Sequence, residues 1–354
     1  MKIWIATGGT GGHVFPALAL SDEVARRGHN VIISTDGRVL DMIRKNKPEK
    51  AGIAFVWASG VGAKSRIMQA AALFEIAASA LALWLRFMLF RPARVVAFGG
   101  YASVPAVLAA YMWKIPTLLH EQNAAIGRAN KFALRWVGTL MTSFPAVSGI
   151  QRQAPGQKVI YTGLPVRKEF KPSEYKIKKG EFRLLITGGS LGSKILDEVV
   201  PSAICRLPPA MQKKIFITHQ TRPENVPLLQ KFYADQKIKA NVLSFIHDMA
   251  GAIMSSDLVI GRSGAGTVVE LQTIGRPAIL VPLGINPDQA ANAESFAGTG
   301  AGFAIAQDKF TPKWLSATLT GLFDNPARLA KMAEKALVPN NAVDNIVKII
   351  LDDQ

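Results

Sequence analysis

The chain has 354 residues, 49% hydrophobic and 19% charged, which is enough apolar material for two domains with cores of their own. Its one cysteine, Cys205, excludes an internal disulfide framework, and no signal peptide precedes the first glycines, so a cytoplasmic setting is expected. The formal charge of +17 is uneven: residues 1–165 carry 19 Lys and Arg against 7 Asp and Glu, which calls for an anionic partner surface. The interleaving of aromatics and arginines found in RNA-reading modules is missing, so a lipid surface is expected and nucleic acid is not.

A first strand is predicted over 2–6. It leads into the glycine loop Thr7-Gly8-Gly9-Thr10-Gly11-Gly12-His13, a helix over 16–27 and a second strand over 31–34. This is a βαβ unit. Gly9-x-Gly11 with Asp36 makes half of a dinucleotide fingerprint, but Val14 stands where the third glycine belongs. An NAD-dependent oxidoreductase is therefore the competing enzyme class.

Residues 67–90, IMQAAALFEIAASALALWLRFMLF, tempt a transmembrane reading. Glu75 and Arg86 interrupt the run, and it lies between two strands of what should be one sheet. A buried helix packed on that sheet is expected. The alternative is a helix with an apolar end, Trp84 and Phe87 included, docked on an anionic bilayer among Lys64, Arg66, Arg86, Arg91 and Arg94. A strand over 94–98, a helix over 104–112 and a strand over 116–120 follow, the last ending at His120-Glu121-Gln122-Asn123. Polar groups thus gather after strand ends, where open parallel sheets bind ligands.

The segment 171–180 has the polar composition of a connection. The pattern then starts again: LITGGSLG at 185–192 repeats IATGGTGG at 5–12, as two similar α/β units in tandem would. Strands are predicted over 182–187, 214–218, 240–245, 258–260 and 278–281, with a last amphipathic helix over 342–351. Within 257–293 a buried strand runs into the small-residue turn Gly261-Arg262-Ser263-Gly264-Ala265-Gly266 and a helix over 267–274, stopped by Gly275 and Pro277. Unpaired amides and the helix dipole make such a start an anion site. Glu270, one turn in, would reach the hydroxyls of a nucleotide held there. Gln289 and Asn292, three apart, would share a helix face and offer amides to a sugar.

In chain order, GGTGGHVFPALAL, FGGYASVPAVLAA, HEQNAAIGRANK, TGLPVRKEF, TGGSLGSKILDEVVP, FIHDMA and the 257–293 stretch resemble the motifs of the MurG family, across essentially the whole chain. The resemblance implies an α/β GT-B glycosyltransferase fold, two Rossmann-like domains with parallel sheets and an interdomain cleft. Residues 1–163 would form the acceptor and membrane-associating domain and 164–339 the donor domain, with a helix in 340–354 packing back on the first. It also implies an inverting transfer of GlcNAc from UDP-GlcNAc to the muramoyl-pentapeptide of lipid I, forming lipid II in peptidoglycan synthesis. The enzyme would sit peripherally on the cytoplasmic face of the inner membrane.

Carried over by position, Arg167 and Ser190 would meet the donor phosphates, with Ser263, Gly264 and Ala265 at the helix start. Ile246 would contact uracil through its backbone, Glu270 the ribose, and Gln289 with Asn292 the GlcNAc. Thr10, Gly11, Gly12 and Asn123 would also serve the donor, while Thr10, His13, Tyr101 and Asn123 would line the acceptor side. His13 is the candidate base, because an imidazole titrates near neutral pH. No D-x-D run offers a holder for Mg²⁺, so neither metal nor cofactor is expected. Asp288 departs from the family pattern beside Gln289; its carboxylate would repel phosphate, so it should point away or bind sugar. A membrane-associated nucleotide-sugar binding protein without turnover is the non-enzyme alternative.

Overall fold

The computed structural model describes residues 1–59, 65–151, 156–178, 180–189, 192–285 and 287–352. They form two compact units, residues 1–168 with 340–354 and residues 169–339.

The first unit is built on a parallel sheet of seven strands: β1 (Lys2–Ala6), β2 (Asn30–Thr35), β3 (Gly52–Phe55), β4 (Arg94–Ala97), β5 (Thr117–Glu121), β6 (Thr139–Thr142) and β7 (Lys158–Tyr161). Their order is β3-β2-β1-β4-β5-β6-β7. The chain winds outward from β1 in one direction, then returns to start again at β4. The crevice between β1 and β4 is thus a topological switch point, the place where doubly wound sheets hold ligands. Register fixes the spot: Ala6 pairs with Ser34 on one side and Ala97 on the other. Ile3, Trp4 and Ile5 have no exposed surface, as expected of a central parallel strand covered on both faces. The Trp4 indole donates to Ser34 Oγ at 2.9 Å and meets Phe87 edge-on with centroids 4.8 Å apart.

The first helix, Gly11–Arg26, begins five residues before the expected start. Gly11, Gly12 and His13 belong to its opening turn rather than to a loop. Pro16 lies far enough toward the N-terminus that its missing N–H deprives only the Gly12 carbonyl of a donor. The short helix Leu40–Asn46 and the edge strand β3 were not anticipated, being too short for periodicity to register.

The apolar stretch is one helix, Arg66–Phe90, and it crosses over from β3 to β4. It corrects the core-only expectation. Ala72, Ile76, Ser79, Ala80, Leu83 and Phe87 are buried, whereas Ile67, Phe74, Leu81, Leu85, Met88 and Leu89 lie open. Glu75 accepts from the Ser59 amide at 2.9 Å, and Ser79 Oγ accepts from the Trp57 amide and donates to the Trp57 carbonyl, so the polar residues tie the inward face to the chain after β3. Phe87 is core and Trp84 stacks on Trp113, so neither carries the open face. Lys64 lies outside the described residues.

The second unit repeats the plan. Its strands are β8 (Phe182–Thr187), β9 (Ile215–Gln220), β10 (Lys239–Leu243), β11 (Leu258–Gly261), β12 (Ala278–Leu280) and β13 (Gly302–Ala304). All are parallel, in the order β10-β9-β8-β11-β12-β13, with a switch point between β8 and β11. The two glycine loops alike in sequence therefore follow the first strand of each sheet.

The division between units falls after Lys168 rather than after residue 163. The cause is local: the Leu164 carbonyl accepts from Asn340 at 3.0 Å, and the Arg167 guanidinium lies 5.2 Å from the Phe15 ring centroid. The start of the connection is packed, since buried Arg276 donates to the carbonyls of Ser173 and Glu174. The last helix, Ala342–Asp352, returns to the first unit, burying Ile346, Val347 and Ile350 beside Leu20 and Val24.

Candidate active site

At the first switch point two glycine turns approach closely. A Cβ on Gly8 would meet Ala102 Cβ at 2.5 Å, and one on Gly100, where φ is +73°, would meet the Gly8 carbonyl oxygen at 3.1 Å. Only glycine permits that contact and that backbone together. The turns bring Thr10, which caps the Gly11–Arg26 helix, next to its opening amides; His13 donates its own to Thr10 O at 3.1 Å. Tyr101 opens the 3₁₀ turn Tyr101–Ser103 that follows β4.

The polar run after β5 is folded around one carboxylate. Glu121 Oε1 accepts from the Asn123 amide at 2.9 Å and from its side chain at 3.2 Å; Oε2 accepts from Gly127 N at 2.9 Å and Asn130 Nδ2 at 2.7 Å. Burial raises the Glu121 pKa against these four bonds. The carboxylate is spent on holding Asn123 in place. Between the two lies Gln122, 2% exposed, with Oε1 3.0 Å from His13 Nδ1. His13 is partly buried, and desolvation lowers its pKa below the ordinary 6.5, assisted by Arg38 and opposed by Gln122 and the Phe98 carbonyl. A neutral imidazole near pH 7 is the protonation state a general base needs. His120 beside it is fully buried and donates from Nε2 to Gly163 O at 2.9 Å, and burial pushes its pKa down to about 4.

Asp36 also ends in a different role from the one a dinucleotide would need. Its carboxylate accepts from Arg38 Nε at 3.0 Å and from the Arg38 amide at 3.1 Å, and the side chain is buried. A carboxylate held this way does not await a ribose, which removes the structural basis of the oxidoreductase alternative.

At the second switch point the loop after β8 is tied to β9 by Thr187 Oγ1, which donates to Gln220 Oε1 at 2.6 Å. Ser190 lies outside the described residues. After β11, Arg262 is turned onto the protein: it donates to the Val281 and Pro282 carbonyls at 3.0 and 3.1 Å and to Gln307 Oε1 at 2.8 Å. Ser263 has no exposed surface and donates its hydroxyl to Gln289 O at 2.7 Å. Gly264 caps the helix Ala265–Ile274, with open space where a Cβ would stand. The helix starts two residues earlier than expected, so Glu270 stands in its second turn, partly buried. Ile246 is buried in the segment after β10.

Gln289 and Asn292 do share one side of the helix Pro287–Gly298, but both are engaged by protein. Gln289 Oε1 accepts from the Leu283 amide at 2.9 Å, and fully buried Asn292 donates to Ser263 O at 3.1 Å. Asn292 thus braces the turn that opens the Ala265–Ile274 helix. Asp288 falls in the first turn of that helix, where the dipole favours a carboxylate. Arg167, expected in the donor half, belongs to the first unit. Sequence reasoning passed over Gln122, Glu121 and Arg38 as site residues. The signal for the first two was the unbroken polar run closing a buried strand.

Residues 3–142 match the glycosyltransferase family 28 N-terminal domain and residues 183–349 its C-terminal domain. A UDP-N-acetylglucosamine–N-acetylmuramyl-(pentapeptide) pyrophosphoryl-undecaprenol N-acetylglucosamine transferase of Methylobacterium radiotolerans is 37% identical over 99% of this chain and 97% of its own length. The Nitrobacter winogradskyi protein of the same name is 40% identical over 94% and 92%. The crystal structure of Acinetobacter baumannii MurG superposes with a TM-score of 0.79 at 32% identity, covering 99% of both chains. Two Rossmann-like units in tandem are the GT-B plan, and the chain belongs to glycosyltransferase family 28 and, within it, to the MurG family.

Proposed function

We propose that the chain transfers N-acetylglucosamine from UDP-N-acetylglucosamine to the muramyl-pentapeptide of lipid I, forming lipid II, with inversion at the anomeric carbon. The observation that carries the reading is the full-length match to transferases named for that reaction. In a single displacement the acceptor hydroxyl oxygen bonds to the anomeric carbon as the bond to the UDP β-phosphate oxygen breaks. The hydroxyl proton passes to His13, and the electron pair leaves with UDP. Neutral His13 suits that step, and its lowered pKa supports the assignment.

The leaving pyrophosphate is met by the opening of the Ala265–Ile274 helix with Ser263, Gly264 and Ala265, joined by Arg167 and Ser190. Glu270 takes the ribose and the Ile246 backbone the uracil. Gln289 and Asn292 shape the turn facing the GlcNAc. Thr10, Gly11, Gly12, Tyr101 and Asn123 present the acceptor and complete the donor contacts. Amides, dipoles and Arg167 suffice to balance the charge, so the proposed mechanism calls for no metal or cofactor.

The open face of Arg66–Phe90 supports peripheral docking on the anionic cytoplasmic surface of the membrane. Lys2, Arg86 and Arg91 gather at its C-terminal end, with Lys2 over Phe90 and Arg86 over Trp4. A helix that crosses over from β3 to β4 along one face of a sheet lies along a surface rather than through it. Turnover of labelled UDP-N-acetylglucosamine with lipid I tests the whole reading. A β-linked disaccharide product is expected; UDP-sugar binding without product would leave a binding protein instead.

A further inference from the structure

The buried amide of Gln122 is bound at both ends. Nε2 lies 2.6 Å from the Phe98 carbonyl oxygen, and Oε1 lies 3.0 Å from His13 Nδ1. A backbone carbonyl can only accept, so the NH₂ group must face Phe98 and the amide cannot turn over without setting two oxygens against each other. The amide oxygen that then faces His13 can also only accept. The proton of that bond must come from the imidazole. We propose that Gln122 is a positioning residue that holds His13 as the Nδ1–H tautomer and leaves the Nε2 lone pair for the acceptor hydroxyl.

The inference rests on the reading of His13 as the base, and it adds a division of labour. When Nε2 takes the proton, Nδ1–H and its bond to Gln122 persist, so the ring need not rotate during the transfer. A neutral amide fixes the tautomer without a countercharge that would hold the proton on the ring afterwards. The charged and titratable groups facing His13 are Arg38, from the turn after β2, and His120 on β5. Arg38 disfavours the imidazolium, buried His120 is held toward its neutral form, and Asp36 is paired with Arg38. The Phe98 carbonyl also faces the imidazole, and it too can only accept, so it offers Nδ1 no proton. An imidazole free in water favours the other tautomer, so the preference at this site is one the protein imposes.

The test is a long-range ¹H–¹⁵N spectrum of the full-length protein labelled in histidine, recorded near pH 8, with the His13 signals assigned by their loss in His13→Ala. The wild type should show a protonated Nδ1 and an unprotonated Nε2, and Gln122→Met should show that preference lost. In turnover assays Gln122→Met should lower kcat about ten- to a hundred-fold, the range seen when a partner orienting a metal-bound imidazole is removed, with UDP affinity unchanged. Gln122→Glu keeps an acceptor at Nδ1 but sets its second oxygen against the Phe98 carbonyl, so it should recover only part of kcat, while its carboxylate moves the acidic limb of the pH profile upward. A wild-type spectrum with Nε2 protonated overturns the proposal, even if Gln122→Met does not fold. So does a Gln122→Glu profile identical to wild type. A locked tautomer together with undiminished turnover in His13→Ala would keep the hydrogen-bond lock and remove the base reading beneath it.

Discussion

The side-chain amide of Asn292 donates to the backbone carbonyl of Ser263 at 3.1 Å, and both residues are without exposed surface. The contact joins the helix Pro287–Gly298 to the turn that opens the Ala265–Ile274 helix. Ser263 answers by donating its hydroxyl to Gln289 O, so the turn is held from two sides. Asn292→Ala should leave a buried carbonyl short of a donor and cost roughly 1–3 kcal/mol of stability. It should also weaken UDP itself, because the turn shifts. Calorimetry with UDP and with UDP-N-acetylglucosamine separates the roles. An unchanged UDP affinity with loss confined to the sugar nucleotide would mean that Asn292 touches sugar after all.

Glu270 is expected to act on the donor alone. Removing a charge-assisted bond to ribose costs roughly 1.5–3 kcal/mol, about ten- to a hundred-fold in affinity. Glu270→Ala should show that loss in UDP titrations, with a smaller change in kcat at saturating donor. Equal UDP affinity in mutant and wild type would place the ribose elsewhere.

What could be read in advance follows from physical range. The strands β1 and β8 are apolar runs closed by glycine pairs, signals contained within ten residues, and both lie where they were expected. The start of the first helix was not legible, because Gly11 and Gly12 carry low helix propensity and only packing of Val14, Ala17 and Leu18 in the core settles the matter. The bond between His13 and Gln122 spans 109 positions and Asn292 reaches Ser263 over 29, distances at which composition and period say nothing. The two faces of Arg66–Phe90 were hidden for another reason: apolar residues occupy both, so periodicity does not distinguish the face that packs from the face that stays open.

That open face should bind vesicles. Phe74 is 75% exposed and Leu81 57%, seven positions apart on one stripe of the helix. Full burial of a side chain of this kind in an apolar medium is worth about 1.5–3 kcal/mol, so Phe74→Ser with Leu81→Ser should weaken binding to anionic vesicles at least tenfold. The thermal transition should hardly move. Binding should also fall as salt is raised, as attraction to basic side chains requires. By contrast, Phe87→Ser removes a fully buried ring from Trp4 and should destabilise the fold by about 3–5 kcal/mol. A Phe74→Ser, Leu81→Ser protein with undiminished vesicle binding would move the membrane contact to another surface.

His13 supplies the pH dependence. Burial lowers its pKa below 6.5, so the neutral base is the populated form above that lowered value and is lost as pH falls through it. The kcat/KM profile should therefore show an acidic limb whose midpoint lies below that of an ordinary imidazole, and activity should be flat from there toward neutral pH. His13→Ala should cut kcat about a hundred-fold or more, leave UDP affinity nearly intact and abolish the limb. If the loss appears as a raised KM for lipid I with kcat preserved, His13 holds the acceptor and another group takes the proton. Asn123, fixed by Glu121 near the same strand end, would then be the next residue to replace. A His13→Ala enzyme with wild-type kcat and wild-type KM would remove the imidazole from the mechanism.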